Sequence, residues 1–327
     1  MDEKSQVSSS SSEASQEEVL DDVAETSKIK FHWWRHVELV FTKPLAWVLL
    51  VTLLLCVNQV LRSPVHLAHW MERSKLQLLG FHSVLYDREE YSVHIFERKG
   101  ERPIIVLPEL GGSTSSWVDL LSHLPPERGV VFIELLGHGE SILKKDYVMY
   151  DDLMDSVRVV LDEVTQPMTI VGHGLGGWLA IRYTMEQENR IERLLLVNSL
   201  GLQQPLQTHL YLPVDKKELN EKLDWMFGAH NRWVPTFVLD DMLEFLSDPM
   251  HHAILEELTL ETKLDVAAQK INTSVDLLWG SPNRVLDEEY AMRWSKWLPE
   301  AKVHELEGCG HSPQYFCTEQ LHSLLSE

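Results

Sequence analysis

Residues 168–177, which read MTIVGHGLGG, come closest in this chain to the spacing of a reactive centre. In a G-x-S-x-G turn, an apolar strand bends sharply into a helix and exposes the serine hydroxyl as a nucleophile. Here Gly174 occupies the serine position, while Gly172 and Gly176 keep the flanking glycines. The pattern therefore predicts the turn without the attacking group. Glycine also relieves the backbone strain that a serine would carry there.

Short apolar runs separated by helical stretches surround this turn from about residue 81 onward. Continuous runs of Ile, Val and Leu are typical of strands buried on both faces, and their alternation with helices predicts a mainly parallel sheet. The predicted strands are residues 91–96, 103–107, 129–134, 168–172, 194–198, 275–279 and 302–306.

An insertion interrupts this alternation between about residues 202 and 271, where leucine and methionine recur at helical spacing. Ligands bind at the carboxyl ends of the strands in sheets of this kind. We therefore expect the insertion to be a lid over an apolar pocket. The pocket candidates are Met226, Phe227 and Met242.

Five motifs in order give this chain a resemblance to a known family. They are LPELGGSTSSW (107–117), IELLGHGES (133–141), GHGLGG (172–177), LLWGSPNRVLD (277–287) and EGCGHSP (307–313). Over residues 81–327 the chain resembles the α/β-hydrolase family, and most closely its membrane-anchored, monoacylglycerol lipase-like branch. The resemblance implies a mostly parallel central sheet with helices on both faces and a helical lid.

The resemblance also locates the positions that acyl transfer needs, namely a serine, a histidine base and a carboxylate. His311 matches the histidine, either as a remnant of the catalytic machinery or as a structural residue. Asn283 occupies the usual acid position, where an amide carries no charge and can impose the wrong tautomer on the histidine. Asp287 is the nearest substitute carboxylate, four residues further along the loop. The resemblance thus implies a hydrolase with degenerate catalytic residues.

The oxyanion hole is altered as well. The family places His-Gly after an early strand, whereas this chain has Pro108 and Glu109. The backbone N–H groups of Leu110 and Leu175 are still candidates for the hole. A Glu109 carboxylate that points inward would oppose the transition state, and one that points to solvent would have no effect.

A membrane anchor is expected upstream of this domain. Residues 45–61 carry no charge and lie between Lys43 and Arg62. They are nearly long enough to cross a bilayer, and they lie too far from residue 1 for an ordinary signal peptide. We expect a single-pass protein of the endoplasmic reticulum, another endomembrane or the plasma membrane. Flanking charges leave the orientation open, so Asn272 in the sequon Asn-Thr-Ser is only a possible glycosylation site.

The predicted segments differ strongly in composition. Their bounds are 1–27 for a disordered acidic, Ser-rich tail, 28–43 for a basic aromatic juxtamembrane segment, 44–62 for the transmembrane helix, 63–80 for a connector and 81–327 for the hydrolase-like domain.

Charge and composition exclude several classes of function. The net charge of −21 argues against nucleic acid as a partner. Three cysteines are too few for a disulfide framework. No Cys or His cluster has the spacing of metal ligands, and we expect neither a metal nor another cofactor.

Two functions remain open from the sequence. In the first, the protein is a catalytically inactive hydrolase-like module that binds another membrane protein, in assembly or trafficking, or a monoacyl lipid. In the second, it is a weak or altered monoacylglycerol or ester hydrolase in which His311 activates water.

Overall fold

The computed structural model describes residues 44–202, 211–227, 233–260 and 271–326. The expected acidic tail and juxtamembrane segment lie outside the described residues, as do parts of the lid. The chain divides into two units, Met1–Leu61 and Arg62–Glu327.

Helix α1, Pro44–Arg62, is mostly apolar, with Asn58, Gln59 and Arg62 near its C-terminal end, and it has no buried residue. At about 1.5 Å per residue it is nearly as long as a bilayer core of about 30 Å is thick. Its Thr52 hydroxyl donates to the Val48 carbonyl at 2.8 Å, which satisfies the polar group within the helix. Among the described residues, this is the one helix long and apolar enough to cross a membrane.

The second unit is built on a nine-stranded sheet. Its strands are β1 His82–Asp87, β2 Tyr91–Arg98, β3 Glu101–Leu107, β4 Arg128–Ile133, β5 Ile142–Leu143, β6 Met168–His173, β7 Ile191–Val197, β8 Ser274–Ser281 and β9 Lys302–Glu307. Their order is β1-β2-β4-β3-β6-β7-β8-β9, and β5 pairs with β2. Pairing is antiparallel around β2 and parallel from β4 to β9. The predicted α/β-hydrolase fold with a mostly parallel sheet is confirmed.

Helices connect and cover these strands. They are α2 Pro64–Leu78, α3 Val118–Ser122, α4 Tyr150–Leu161, α5 Leu175–Glu186, α6 Lys216–Phe227, α7 Thr236–Leu246, α8 Pro249–Leu260, α9 Glu288–Trp297 and α10 Thr318–Ser326. Helices α6, α7 and α8 lie within the predicted lid insertion, and α6 and α7 share a separate small apolar cluster.

The segment expected to be a connector contains a helix that belongs to the folded domain. Leu76 of α2 is fully buried, and Arg73 forms an ion pair with the buried carboxylate of Glu134 at 2.9 Å. Sequence periodicity in α2 is weak because its polar residues are spread around the helix. For that reason the helix was not anticipated.

Alternation along the strands builds a core on each face of the sheet. In β3, Ile105 and Leu107 belong to one cluster and Ile104 and Val106 to the other, as expected when successive side chains point to opposite faces. Because β3, β6, β7, β8 and β9 run parallel, the loops that follow them meet at one end of the sheet. That end is where the family places its chemistry.

Candidate functional site

The turn after β6 keeps the backbone of a nucleophile elbow. Gly174 has φ +50° and ψ −112°, a combination that L side chains rarely adopt. Its N–H donates to the Val197 carbonyl at 3.1 Å, and helix α5 starts at the next residue. The structure therefore has the tight turn that the sequence predicts, and a glycine stands where the attacking group would be.

The carboxylate of Glu109 fills the space that a nucleophile's side chain would need. A Cβ atom added to Gly174 would overlap Glu109 Oε2 and its carboxyl carbon. Glu109 reaches this place from the loop after β3, and it is buried. A serine at residue 174 therefore cannot coexist with this position of Glu109.

The same carboxylate occupies the expected oxyanion hole. Glu109 Oε1 accepts hydrogen bonds from the backbone N–H groups of Leu110 at 2.6 Å and Leu175 at 3.2 Å. These are the two donors that the sequence suggested for the hole. Of the two orientations considered for Glu109, the structure has the inward one. Both donors are thereby engaged by a resident negative charge.

Asn283 fixes the tautomer of His311. The Asn283 Oδ1 atom accepts from the N–H groups of Val285 and Leu286, both at 3.0 Å, so its amide nitrogen faces His311 Nδ1 at 3.2 Å. An amide nitrogen only donates, so Nδ1 accepts and the proton of the neutral ring lies on Nε2. His311 Nε2 then donates to Glu109 Oε2 at 3.2 Å. In a serine triad Nε2 is instead the free base.

His173 completes this buried group. Its Nε2 donates to the backbone carbonyl of His311 at 2.9 Å, which leaves Nδ1 unprotonated. Nδ1 has no hydrogen-bond partner among the described residues. Burial lowers the pKa of His173 to about 4, so the ring is neutral at physiological pH.

Glu109 is ionised in this setting. Burial raises its pKa, but the hydrogen bonds that it accepts from His311 and from the backbone N–H of Leu110 act in the opposite direction. The net pKa is below the usual value for a glutamate. The site therefore holds a buried negative charge that is compensated by N–H donors.

One group of described residues could offer ligands to a metal ion, namely Glu109, His173 and His311. One potential ligand atom from each lies within 4.8 Å of the others. However, the proton on His311 Nε2 occupies the lone pair that a metal would need, and Asn283 holds it there. The donor set does not fit a metal without a change of tautomer.

Asp287, the substitute carboxylate, and the nearby Asn198 have structural roles. Asp287 caps helix α9 by accepting from the N–H of Tyr290 at 3.0 Å. Asn198, the residue after β7, donates to the His311 carbonyl at 2.8 Å and accepts from Gly280 N–H at 3.0 Å. In the described residues, His311 has no carboxylate on its Nδ1 side.

A cavity of about 390 Å³ lies beside Glu109. The predicted pocket residues Met226, Phe227 and Met242 all line it. Helix α2 supplies a further wall through Val65 and Ala68, which the sequence did not suggest. Its size is within the range of small-molecule sites, about 300 to 1,000 Å³.

Lys222 is a pocket residue that was missed. It is buried, it lines the cavity, and its ammonium group donates to the Tyr211 carbonyl. Burial lowers its pKa to about 8, while Glu109 partly offsets that effect. The available signal was its spacing, because Lys222 falls on the same face of α6 as Leu219 and Leu223.

Three buried polar atoms in the cavity wall have no hydrogen-bond partner among the described residues. They are His173 Nδ1, Ser312 Oγ and Gln314 Oε1. Buried polar groups in folded proteins are nearly always paired, with protein, water or ligand. Three unpaired polar atoms in the wall of one cavity indicate that the cavity binds a molecule with polar groups.

A disulfide holds one part of this wall. Cys309 and Cys317 are bonded, and the loop between them carries His311, Ser312 and Gln314. The sequence offered two cysteines eight residues apart but no reason to pair them.

Comparisons with known proteins place this site in a family. The sequence model of the alpha/beta hydrolase family matches residues 104–321. Monoacylglycerol lipase ABHD6 of Bos taurus is 23% identical over 244 residues, which cover 66% of this chain and 72% of that protein. The dihydrolipoyllysine-residue acetyltransferase component of the acetoin cleaving system of Pseudomonas putida is 25% identical over 244 residues, 70% of this chain. This chain spans 64% of the length of that relative.

Solved structures show the same fold. A bacterial membrane phospholipase A superposes with a TM-score of 0.70 at 18% identity, covering 86% of this chain and 97% of that one. Carboxylesterase CesB of Bacillus subtilis gives a TM-score of 0.61 at 13% identity, covering 79% and 97%. Because the family model covers more than half of the sequence, this chain belongs to the alpha/beta hydrolase family.

Proposed function

We propose that this protein is a single-pass membrane protein that binds a neutral single-chain lipid in its hydrolase-like pocket and does not hydrolyse it by a serine mechanism. The observation that carries the proposal is the position of Glu109. Its carboxylate takes the space of the missing nucleophile and engages both oxyanion donors. Helix α1, with a length and composition suited to a bilayer, supports the membrane anchor.

Loss of serine chemistry follows from three changes that act together. Gly174 has no nucleophile, Asn283 imposes the Nε2–H tautomer, and Glu109 puts negative charge where an oxyanion would form. Triad members act as a unit, so the absence of two of them leaves little for the third to do. Water activation by His311, the alternative from the sequence, requires a free Nε2 lone pair. The bond to Glu109 opposes that.

The chemistry of the cavity supports a lipid that has a hydroxyl-bearing headgroup. The walls are mostly apolar, as suits an acyl chain. His173 Nδ1 and Gln314 Oε1 can only accept hydrogen bonds, and Glu109 carries a negative charge. A ligand that donates hydrogen bonds from hydroxyl groups complements these acceptors. A carboxylate headgroup would meet repulsion from Glu109, and the ammonium group of Lys222 in the same wall already donates to the Tyr211 carbonyl.

A lipid also accounts for the cavity better than a protein partner does, because a protein partner would use the outer surface. Binding of another membrane protein in assembly or trafficking stays a prediction from the sequence. Copurification of such a partner with an empty pocket would favour it over the lipid.

The test uses the detergent-solubilised full-length chain and a lipid that cannot be hydrolysed. We expect 1-O-dodecylglycerol, an ether, to bind measurably by isothermal titration, and dodecyl methyl ether or dodecanoate to bind at least about tenfold more weakly. Hydrolysis of 1-dodecanoylglycerol should stay at the rate without protein. Turnover that is lost in His311→Ala would instead establish the hydrolase.

A matched pair of variants tests whether binding occurs in this cavity. Met242→Trp fills the pocket, whereas Met292→Trp makes the same change on the exposed surface of α9. We expect the first variant to abolish alkylglycerol binding and the second to preserve it. Equal affinities in the two variants would place the ligand elsewhere.

A further inference from the structure

Every cysteine that follows the apolar helix is engaged in a disulfide. The sequence has three cysteines, of which Cys56 lies in α1 and the other two are bonded to each other. Cys309 is fully buried, and its Cα atom lies 5.9 Å from that of Cys317, within the range of disulfides. Disulfides of this kind form and persist in oxidising compartments and are rare in the cytosol.

An independent feature of the surface points to the same compartment. Asn272-Thr273-Ser274 is the one N-x-S/T sequon in the whole sequence. Asn272 is exposed, and Glu188 accepts the N–H of Thr273 at 2.8 Å, which orders this segment. The sequon immediately precedes β8, so it lies at the amino ends of the parallel strands. A glycan there would be remote from the cavity, which lies at their carboxyl ends.

We propose that residues 62–327 mature on the lumenal side of the secretory pathway, with an N-linked glycan on Asn272 and an oxidised Cys309–Cys317 pair. The acidic tail before α1 then stays on the cytosolic side. Charges flanking the span left this orientation open. The buried disulfide and the exposed sequon are two unrelated observations that both support the lumenal orientation.

Both modifications need a co-reactant, which is a glycosyl donor for Asn272 and an oxidant for the two thiols. The amide nitrogen of Asn272 forms a bond to the anomeric carbon of a lipid-pyrophosphate-linked oligosaccharide, loses one proton and displaces the lipid pyrophosphate. The thiols of Cys309 and Cys317 exchange with the disulfide of a protein oxidant, which is reduced to a dithiol while the new disulfide forms. The new disulfide then constrains the loop that bears Ser312 and Gln314.

The test expresses the full chain in cells with a secretory pathway and digests it with peptide N-glycosidase. We expect a single mobility shift that disappears in both Asn272→Gln and Ser274→Ala. As a matched control, Gln6→Asn creates the sequon Asn-Val-Ser in the tail, and we expect no second shift from it. A shift from Gln6→Asn together with none from Asn272 would overturn the orientation.

Thiol counting tests the disulfide separately. Alkylation of the denatured chain before reduction should label one cysteine, Cys56, and alkylation after reduction should label three. Cys309→Ser should raise the count before reduction to two, because Cys317 is released. Three labelled thiols before reduction would overturn the oxidised pair. These outcomes do not depend on lipid binding, so the lumenal orientation and the lipid-binding function can each fail independently.

Discussion

Two buried glutamates follow neighbouring strands of this sheet, and they differ in how their charge is compensated. Glu134, after β4, accepts from His94 Nδ1 at 2.8 Å, from the N–H of Glu140 at 2.8 Å and from the guanidinium of Arg73 at 2.9 Å. Among the residues that the structure describes, Glu109, after β3, has no arginine or lysine bonded to it and relies on two backbone N–H groups and a neutral histidine.

The surroundings of the two carboxylates differ in the same way. Glu134 is enclosed by side chains that bond to it, including the Thr114 hydroxyl at 3.2 Å, and it does not line the cavity beside Glu109. Glu109 lines a cavity whose wall contains unpaired polar atoms and a buried lysine. The comparison indicates that Glu134 serves the fold, whereas Glu109 stands at a site. A lowered pKa is common to both carboxylates and does not separate the two roles.

The largest expected effect comes from converting the Glu109 region back to a serine hydrolase. Gly174→Ser alone should leave aryl-ester hydrolysis at background, because Glu109 and Asn283 remain. The triple variant Gly174→Ser, Glu109→Gly, Asn283→Asp should exceed it by about 10³- to 10⁴-fold, since it restores nucleophile, acid and a vacant oxyanion hole together.

Hydrolysis of p-nitrophenyl butyrate by the full-length variants measures this difference. Adding His311→Ala to the triple variant should return the rate to background. If the single Gly174→Ser change proved as active as the triple variant, the roles given to Glu109 and Asn283 would be wrong.

The next largest effect separates the two glutamates by stability. Glu134→Gln removes one partner of a buried ion pair and should lower the free energy of unfolding by about 3 kcal/mol. Glu109→Gln keeps an acceptor for both N–H groups but turns its amide nitrogen toward the Nε2–H of His311, and should cost about 1 to 2 kcal/mol. Urea unfolding followed by tryptophan fluorescence tests the order, and equal losses would remove the distinction drawn between the two sites.

Features of the fold and of the site that depend on neighbouring residues in the sequence could be predicted, whereas those that depend on contacts between distant residues could not. The elbow, seven of the nine strands and the helices of the insertion rest on local spacing, and these were predicted. Strands β1 and β5 were not predicted. The absence of a nucleophile at Gly174 and of a carboxylate at Asn283 was also predicted, because each residue stands at a fixed position in a motif.

Contacts between distant loops were beyond the sequence. Glu109 was flagged with its two orientations, but the choice depends on how the loop after β3 packs over the elbow 65 residues later. The tautomer of His311 depends on the backbone donors that orient Asn283. Lys222 was hidden because a lysine on an apolar helix face is ordinarily taken as solvent-exposed.

A smaller effect tests Lys222, the cation in the wall of the Glu109 cavity. Burial lowers its pKa from 10.5 to about 8, so the unfolded chain binds this proton more tightly. Between these values the unfolded state holds more protons, and the free energy of unfolding therefore rises with pH, by about 3 kcal/mol in all.

Unfolding measurements from pH 8 to 10 check this slope. Lys222→Met should remove it, whereas Lys217→Met, on the exposed face of the same helix, should retain it. An unchanged slope in Lys222→Met would mean that the ammonium group is solvated and does not belong to the cavity wall.

The smallest expected effect bears most directly on what distinguishes Glu109 from Glu134, namely the unpaired polar atoms beside it. Ser312→Ala and Gln314→Met should each weaken 1-O-dodecylglycerol binding about fivefold, the cost of one hydrogen bond of about 1 kcal/mol. Ser116 lines the same cavity, but its hydroxyl already donates to the Ser113 carbonyl at 2.7 Å, so Ser116→Ala should leave the affinity unchanged. If all three variants bound 1-O-dodecylglycerol equally well, the unpaired atoms would be hydrogen-bonded to water and not to the ligand. The headgroup would then have to be recognised elsewhere, and the inward carboxylate of Glu109 would have no role in ligand binding.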